Sequence, residues 1–164
     1  MKCRLKKIPH LSGNKASVYS VIIDQCQDTL FELFIKEHVE LHLNELTNIL
    51  LRIKTMGQKV GIIDDFLKIH EGRYGDGVCA LYDVPNSKLR VYCIRYGSQI
   101  IIIGGGGIKT KQTRAFQDSP KLTKENYLMR EISRAITKNI IDKNICYSDD
   151  GLEFEGELEF TIKK

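Results

Sequence analysis

The chain has no tryptophan, only three prolines, and no two of its five cysteines in a Cys-x-x-Cys spacing. Cys3, Cys26, Cys79, Cys93 and Cys146 are scattered and odd in number, which argues against a disulfide framework or a zinc-ribbon ligand set. Cys79 and Cys93 lie inside apolar, strand-like runs, where a reduced thiol behaves as a small hydrophobe. A reducing, cytoplasmic setting is the expectation. Long hydrophobic runs are missing too. The aliphatic stretch Ile100–Ile103 falls far short of the ~20 residues that cross a bilayer. The opening Met1-Lys2-Cys3-Arg4-Leu5-Lys6-Lys7 is basic, but no apolar run follows it as a secretory leader requires. No membrane partner is expected.

Charge of one sign is absent from two segments. Between Val84 and Gln117 there is no Asp or Glu, while Lys88, Arg90, Arg95, Lys109, Lys111 and Arg114 all fall there. Between Asp149 and Phe160 there is no Lys or Arg, and Asp149, Asp150, Glu153, Glu155, Glu157 and Glu159 follow one another. The net charge is +4, so the segregation says more than the total. An acid-free basic segment points to a polyanion, here read as RNA.

With 164 residues, 42% hydrophobic and 28% charged, the chain is long enough for one domain, 1–164, with a sizeable core. Two strands are expected at Lys2–Ile8 and Ser17–Ile23, joined through the turn-forming His10–Lys15 connector. Asp28 or Thr29, with Glu32 after it, marks a helix start. Leu43, Leu46, Ile49, Leu50, Ile53 and Met56 form a helical stripe ended by Gly57. A shorter helix is expected over Ile62–His70. Val78–Tyr82, Leu89–Tyr96 and Gln99–Ile103 read as a β-meander. Gly104–Gly107 then ends the sheet, a helix spans about Thr123 to Asp142, and an acidic strand carrying Leu152, Phe154, Leu158 and Phe160 closes the chain. The class is α+β with an antiparallel sheet.

The glycine run followed by Ile108-Lys109-Thr110 is not a P-loop. That loop needs Gly directly before Lys-Ser/Thr, on a strand of a parallel sheet. It reads instead as a corner where the backbone turns sharply. His38 and His42 stand at i, i+4 but lack a further ligand, so neither a metal nor another cofactor is implied. His70 is kept as a lone site candidate. In Leu89–Tyr96, alternation sends Leu89, Val91 and Cys93 to one face, suited to packing on helices, and Arg90 and Tyr92 to the other. An Arg/Tyr face beside a cationic loop is suited to holding a phosphodiester and stacking a base.

Gly77–Tyr82, Leu89-Arg90-Val91-Tyr92, Gln99–Ile103, the glycine corner, Lys109-Thr110-Lys111-Gln112-Thr113 and Glu131-Ile132-Ser133-Arg134-Ala135 together resemble the RelE/ParE toxin superfamily, in its HigB or phage Gp49-like branch. The resemblance covers about 60 residues of the 164, and Gly105 and Gly107 stand where the family carries His and Phe. It implies helices on one face of the sheet and an RNA groove on the other, with a C-terminal helix and acidic strand extra to that frame. It further implies a type II toxin that cleaves mRNA on the ribosome without metal, with a helix-turn-helix antitoxin as partner. Arg90, Tyr92, Lys109 and Lys111 would then be catalytic, and Lys88, Arg95 and Arg114 would hold RNA. The substrate 2′-hydroxyl would attack, the cations would stabilise the phosphorane, and one group would protonate the leaving oxygen. A non-catalytic RNA- or protein-binding module on the same fold, or a ParE-like gyrase inhibitor, stays open beside it.

Overall fold

Lys2, Arg4 and Lys6 alternate with Cys3 and Leu5, and this period-two pattern forms strand β1 (Lys2–Lys7) with its cations outward. The structure is a computed structural model that describes residues 1–69, 71–73, 75–82, 84–109 and 119–163. β1 pairs antiparallel with β2 (Ser17–Ile23), as the turn-rich connector implies. Thr29 then caps α1 (Leu30–His38) in a reciprocal capping box with Glu32. The Leu46, Ile49, Ile53 stripe buries one side of α2 (Leu43–Thr55), but Leu43 stays exposed.

α2 does not stop at Gly57. It runs into a π-helical turn, Met56–Val60, and ends where Gly61 adopts a positive φ. Gly57 serves a different purpose: its carbonyl accepts from the amides of Lys15 and Ala16, both at 3.0 Å. A side chain there would collide with the Leu11 carbonyl.

The helix expected over Ile62–His70 does not form. A 3₁₀ turn, Asp64–Phe66, leads into the two-residue strand β3 (Leu67–Lys68), because pairing Leu67 with Leu81 buries it at the sheet edge. The meander follows as β4 (Val78–Leu81), β5 (Leu89–Tyr96) and β6 (Ile100–Ile108). After them come α3 (Pro120–Ile141), β7 (Ile145–Tyr147), β8 (Phe154–Gly156) and β9 (Glu159–Thr161).

The main sheet has the order β3-β4-β5-β6-β2-β1-β9. Every pairing in it is antiparallel except that of β2 with β6, which is parallel. The class is therefore α+β with a mixed, mostly antiparallel sheet. Leu89, Val91 and Cys93 pack with Phe31, Phe34, Leu46, Ile49 and Ile53 in the core beneath α1 and α2.

The opposite face is not a groove. Tyr92, Ile94, Ile100 and Ile102 form a second core with Leu122, Met129, Ile132 and Ile136 of α3. Those four α3 side chains are completely buried. At about 1.5–3 kcal/mol each, their burial is worth roughly 6–12 kcal/mol, comparable to the whole stability of a domain. α3 is thus a structural layer and not a displaceable cover.

The glycine run is a correction of the same kind. Gly104–Gly107 continues β6 instead of turning a corner. Val91 pairs with Gly106 and Cys93 with Ile103, so Tyr92 faces both Gly104 and Gly105 across a β-bulge. The bulge resets the pleat and turns both glycines toward α3. A Cβ on Gly104 would strike the Met129 thioether, one on Gly105 would lie 2.8 Å from the Glu125 carboxylate, and one on Gly107 3.0 Å from Lys121 Cγ. Glycine lets the helix lie directly on the strand.

The acidic tail is also divided. Gly156, at φ +101°, separates β8 from β9, so the glutamates do not share one strand face. β8 pairs with β7, and β9 pairs with β1. Phe154 anchors this end: its amide donates to Tyr19 Oη at 3.0 Å, and its ring meets Tyr96 edge-on at 5.2 Å. No helix among the described residues is long and apolar enough to cross a membrane.

Gly106→Ala would drive a methyl group into the Arg90 carbonyl. It should destabilise by more than ~3 kcal/mol in urea titration. Gly97→Ala, at a positive φ with open space around it, should lose only about 1–2 kcal/mol. Equal losses at the two positions would contradict the close approach of the β5 backbone to Gly106.

Candidate polyanion-binding site

β5 begins and β6 ends at the same end of the sheet, and this brings together one pair of the expected RNA contacts. Leu89 pairs with Ile108, and one step outward the Lys109 amide donates to the Lys88 carbonyl at 2.8 Å. Lys88 is exposed and Lys109 half-buried. Lys88 is fixed from behind, since its amide donates to Glu45 Oε1 of α2 at 2.5 Å, a carboxylate that also accepts from Leu89 at 3.4 Å. Beside Lys88 opens a cleft of about 440 Å³ lined by Glu40, His42, Asn44, Glu45 and Asn86. Leu41 and Leu43 complete its lining, so an imidazole, two carboxylates and two amides stand there beside apolar side chains.

The other expected contacts do not join this pair. Arg90 is 3% exposed and Tyr92 is completely buried beneath α3, so Tyr92 cannot stack a base or donate a proton to substrate. The alternation in β5 is as expected, but the face it points to is filled. Arg95 stands at the far end of β5, roughly 23 Å from Lys88 at the usual strand rise. There its guanidinium pairs with Asp64 and donates to the carbonyls of Gly97, at 2.8 Å, and Ile62, at 3.1 Å. It clamps a loop. Lys111 and Arg114, like His70, lie outside the described residues.

One cation at this end escapes a reading based on sequence. Lys121, in the first turn of α3, lies over Gly107 and bonds Glu125 at 2.9 Å, with Glu37 of α1 at 4.0 Å. The hydrogen bond to Glu125 raises its pKa above the usual lysine value. Only the combination of a glycine on the strand and Pro120 at a helix start hints at this placement. Lys121 carries its own counter-charges, whereas Lys88 makes no ion pair among the described residues.

His38 is a core residue. It is 5% exposed, and its ring lies 4.8 Å from that of Phe34 and 6.0 Å from that of His42. No cluster of three or more His, Cys, Asp or Glu able to hold a metal occurs among the described residues. Comparison with protein-family models, with curated proteins and with solved structures finds no match to this chain.

Burial lowers the His38 pKa below the ordinary 6.5, against the opposing pull of the Glu37 carboxylate; His42 and Lys121 add to the lowering and Glu45 opposes it. The unfolded chain therefore binds a proton at this position at a higher pH than the folded one. This contribution to stability is complete above pH ~6.5 and fades as the pH falls through the lowered value. His38→Gln should flatten the stability profile between about pH 7 and 5 in urea titrations. An unchanged slope would show that His38 titrates alike in both states.

Proposed function

We propose that this chain is an RNA-binding protein on a RelE/ParE-like frame, and that RNA phosphates are held at the end of the sheet that carries Lys88 and Lys109. The observation that carries the reading is the backbone hydrogen bond that sets these two lysines side by side, next to the cleft and in a segment without acids. In sequence, Lys111 and Arg114 extend the same cationic run. A phosphate backbone gains most of its affinity from such cations, through counterion release. The sheet face behind them contributes no groove, so contact is confined to the strand ends.

A second reading is a ribosome-dependent mRNA interferase toxin with a helix-turn-helix antitoxin. It is favoured by the succession of paired helices, three-stranded meander and a helix carrying Glu131-Ile132-Ser133-Arg134-Ala135. In that case Lys109, with Lys111 after it in sequence, is the cation to meet a phosphorane, since Glu37 and Glu125 already pair with Lys121. With Tyr92 sealed in the core, the proton for the leaving oxygen has to come from another group.

Lys88→Ala with Lys109→Ala should weaken binding to single-stranded RNA by roughly tenfold at ~0.1 M salt and lower the salt slope by 1–2. Fluorescence anisotropy across a salt series reads both, and unchanged values would remove the site. Primer extension on cellular mRNA after induced expression separates the two readings. Codon-positioned cuts that disappear in the Lys109→Ala variant establish the toxin; intact transcripts with retained binding leave the non-catalytic protein.

A further inference from the structure

β4 and β5 place two cysteines directly opposite each other. Cys79 pairs with Cys93 in the antiparallel register, and both side chains enter the core beneath α1 and α2. Their sulfurs lie 3.1 Å apart, with both thiols free and buried. Directly opposed residues of an antiparallel pair have Cα atoms about 4.5–5.5 Å apart, within the ~4.4–6.8 Å range that a disulfide spans. Closing the sulfurs to the ~2.05 Å bond needs a shift of about 1 Å and no change of register.

The remaining cysteines do not compete. Cys3 points into the opposite core, beneath α3, and Cys26 and Cys146 are exposed. We infer that Cys79 and Cys93 form an oxidisable dithiol, which peroxide converts into a disulfide across β4 and β5.

The step balances with hydrogen peroxide as oxidant. One sulfur attacks a peroxide oxygen, the O–O bond breaks, and a sulfenic acid and one water result. The second thiol attacks the sulfenic sulfur, the S–O bond breaks, and the departing hydroxyl takes that thiol's proton to leave as a second water. The sulfenic acid is small enough to form inside a packed core, which a mixed disulfide with a bulky thiol is not. Burial holds the Cys93 thiol well above its usual pKa, with the hydrogen bond to Cys79 acting in the same direction. Its thiolate is therefore scarce, and the reaction is slow compared with that of an exposed, low-pKa cysteine.

The bond would close the β4–β5 hairpin, whose connecting loop carries Lys88. The two cysteines are 14 positions apart. A ring of this size constrains the unfolded chain enough to raise Tm by on the order of 5–10 °C for a protein of this length.

The test uses the full chain with Cys26→Ser and Cys146→Ser, which removes the exposed thiols and leaves the core untouched. After peroxide treatment and quenching, thiol titration under denaturing conditions should find one thiol where the untreated protein has three. Intact mass should fall by two hydrogens, and a non-reduced digest should link the Cys79 and Cys93 peptides. Tm should rise and return to its starting value on reduction. Three remaining thiols, a crosslink through Cys3, or oxygen addition without a crosslink would each overturn the inference. Peptide mapping reads the result without Cys79 or Cys93 substitutions, whose effects on folding would confuse it.

Discussion

The architecture depends on how closely α3 approaches β6. A helix can lie on a sheet at ordinary distance over any apolar strand. Here Gly104, Gly105 and Gly107 bring Met129, Glu125 and Lys121 against the backbone itself. The bulge opposite Tyr92 makes this possible by turning two successive glycines to the same side. From that contact follow the burial of Tyr92 and the position of Lys121. The seating of Glu71 and Asp76 follows as well: Asn126 and Ser133 of α3 donate to their carbonyls, at 2.8 and 2.5 Å.

A sheet covered on both faces leaves its rim as the place for chemistry. At the rim, backbone pairing sets Lys88 beside Lys109, with Lys88 exposed and Lys109 half-buried. The cost of desolvating a cation is largely avoided, and the long-range attraction for a polyanion is retained. Lys121 is different, because Glu37 and Glu125 already neutralise it. Two cations of the same kind, at the same end of the sheet, thus have different roles by virtue of their neighbours.

Much of the fold was legible where local chemistry and burial agree. Thr29 with Glu32 announces α1, and Leu89, Val91 and Cys93 announce the face that packs on α1 and α2. What stayed hidden depends on partners distant in sequence. Arg90 and Tyr92 look like a wet face because strand alternation reports two faces without saying what covers each. The glycine run looks like a corner because glycine favours strands poorly on its own, and only α3, beginning at Pro120, makes it the right choice. Ile62–His70 carries a helical spacing that lost to edge pairing by Leu67. In the site, Lys88 and Lys109 stand out in the sequence as basic residues, but that they meet depends on the β5–β6 register, and Arg95 is drawn away by Asp64 at the far end of the same strand.

The parallel pairing of β2 with β6 bears on how the chain reaches this state. Ser17 meets Ile100 and Tyr19 meets Ile102, so the middle of the sheet is joined by residues more than eighty positions apart. β1 can pair with β2 as soon as both exist. The other edge of β2, apolar along most of its length, has no partner until the whole meander has been made. During synthesis that edge waits for several seconds at least, at about 5–20 residues per second. Non-local closure of this kind slows folding and leaves a strand edge open to other chains in the meantime. The centre of the finished sheet is therefore the last part of it to become safe from aggregation.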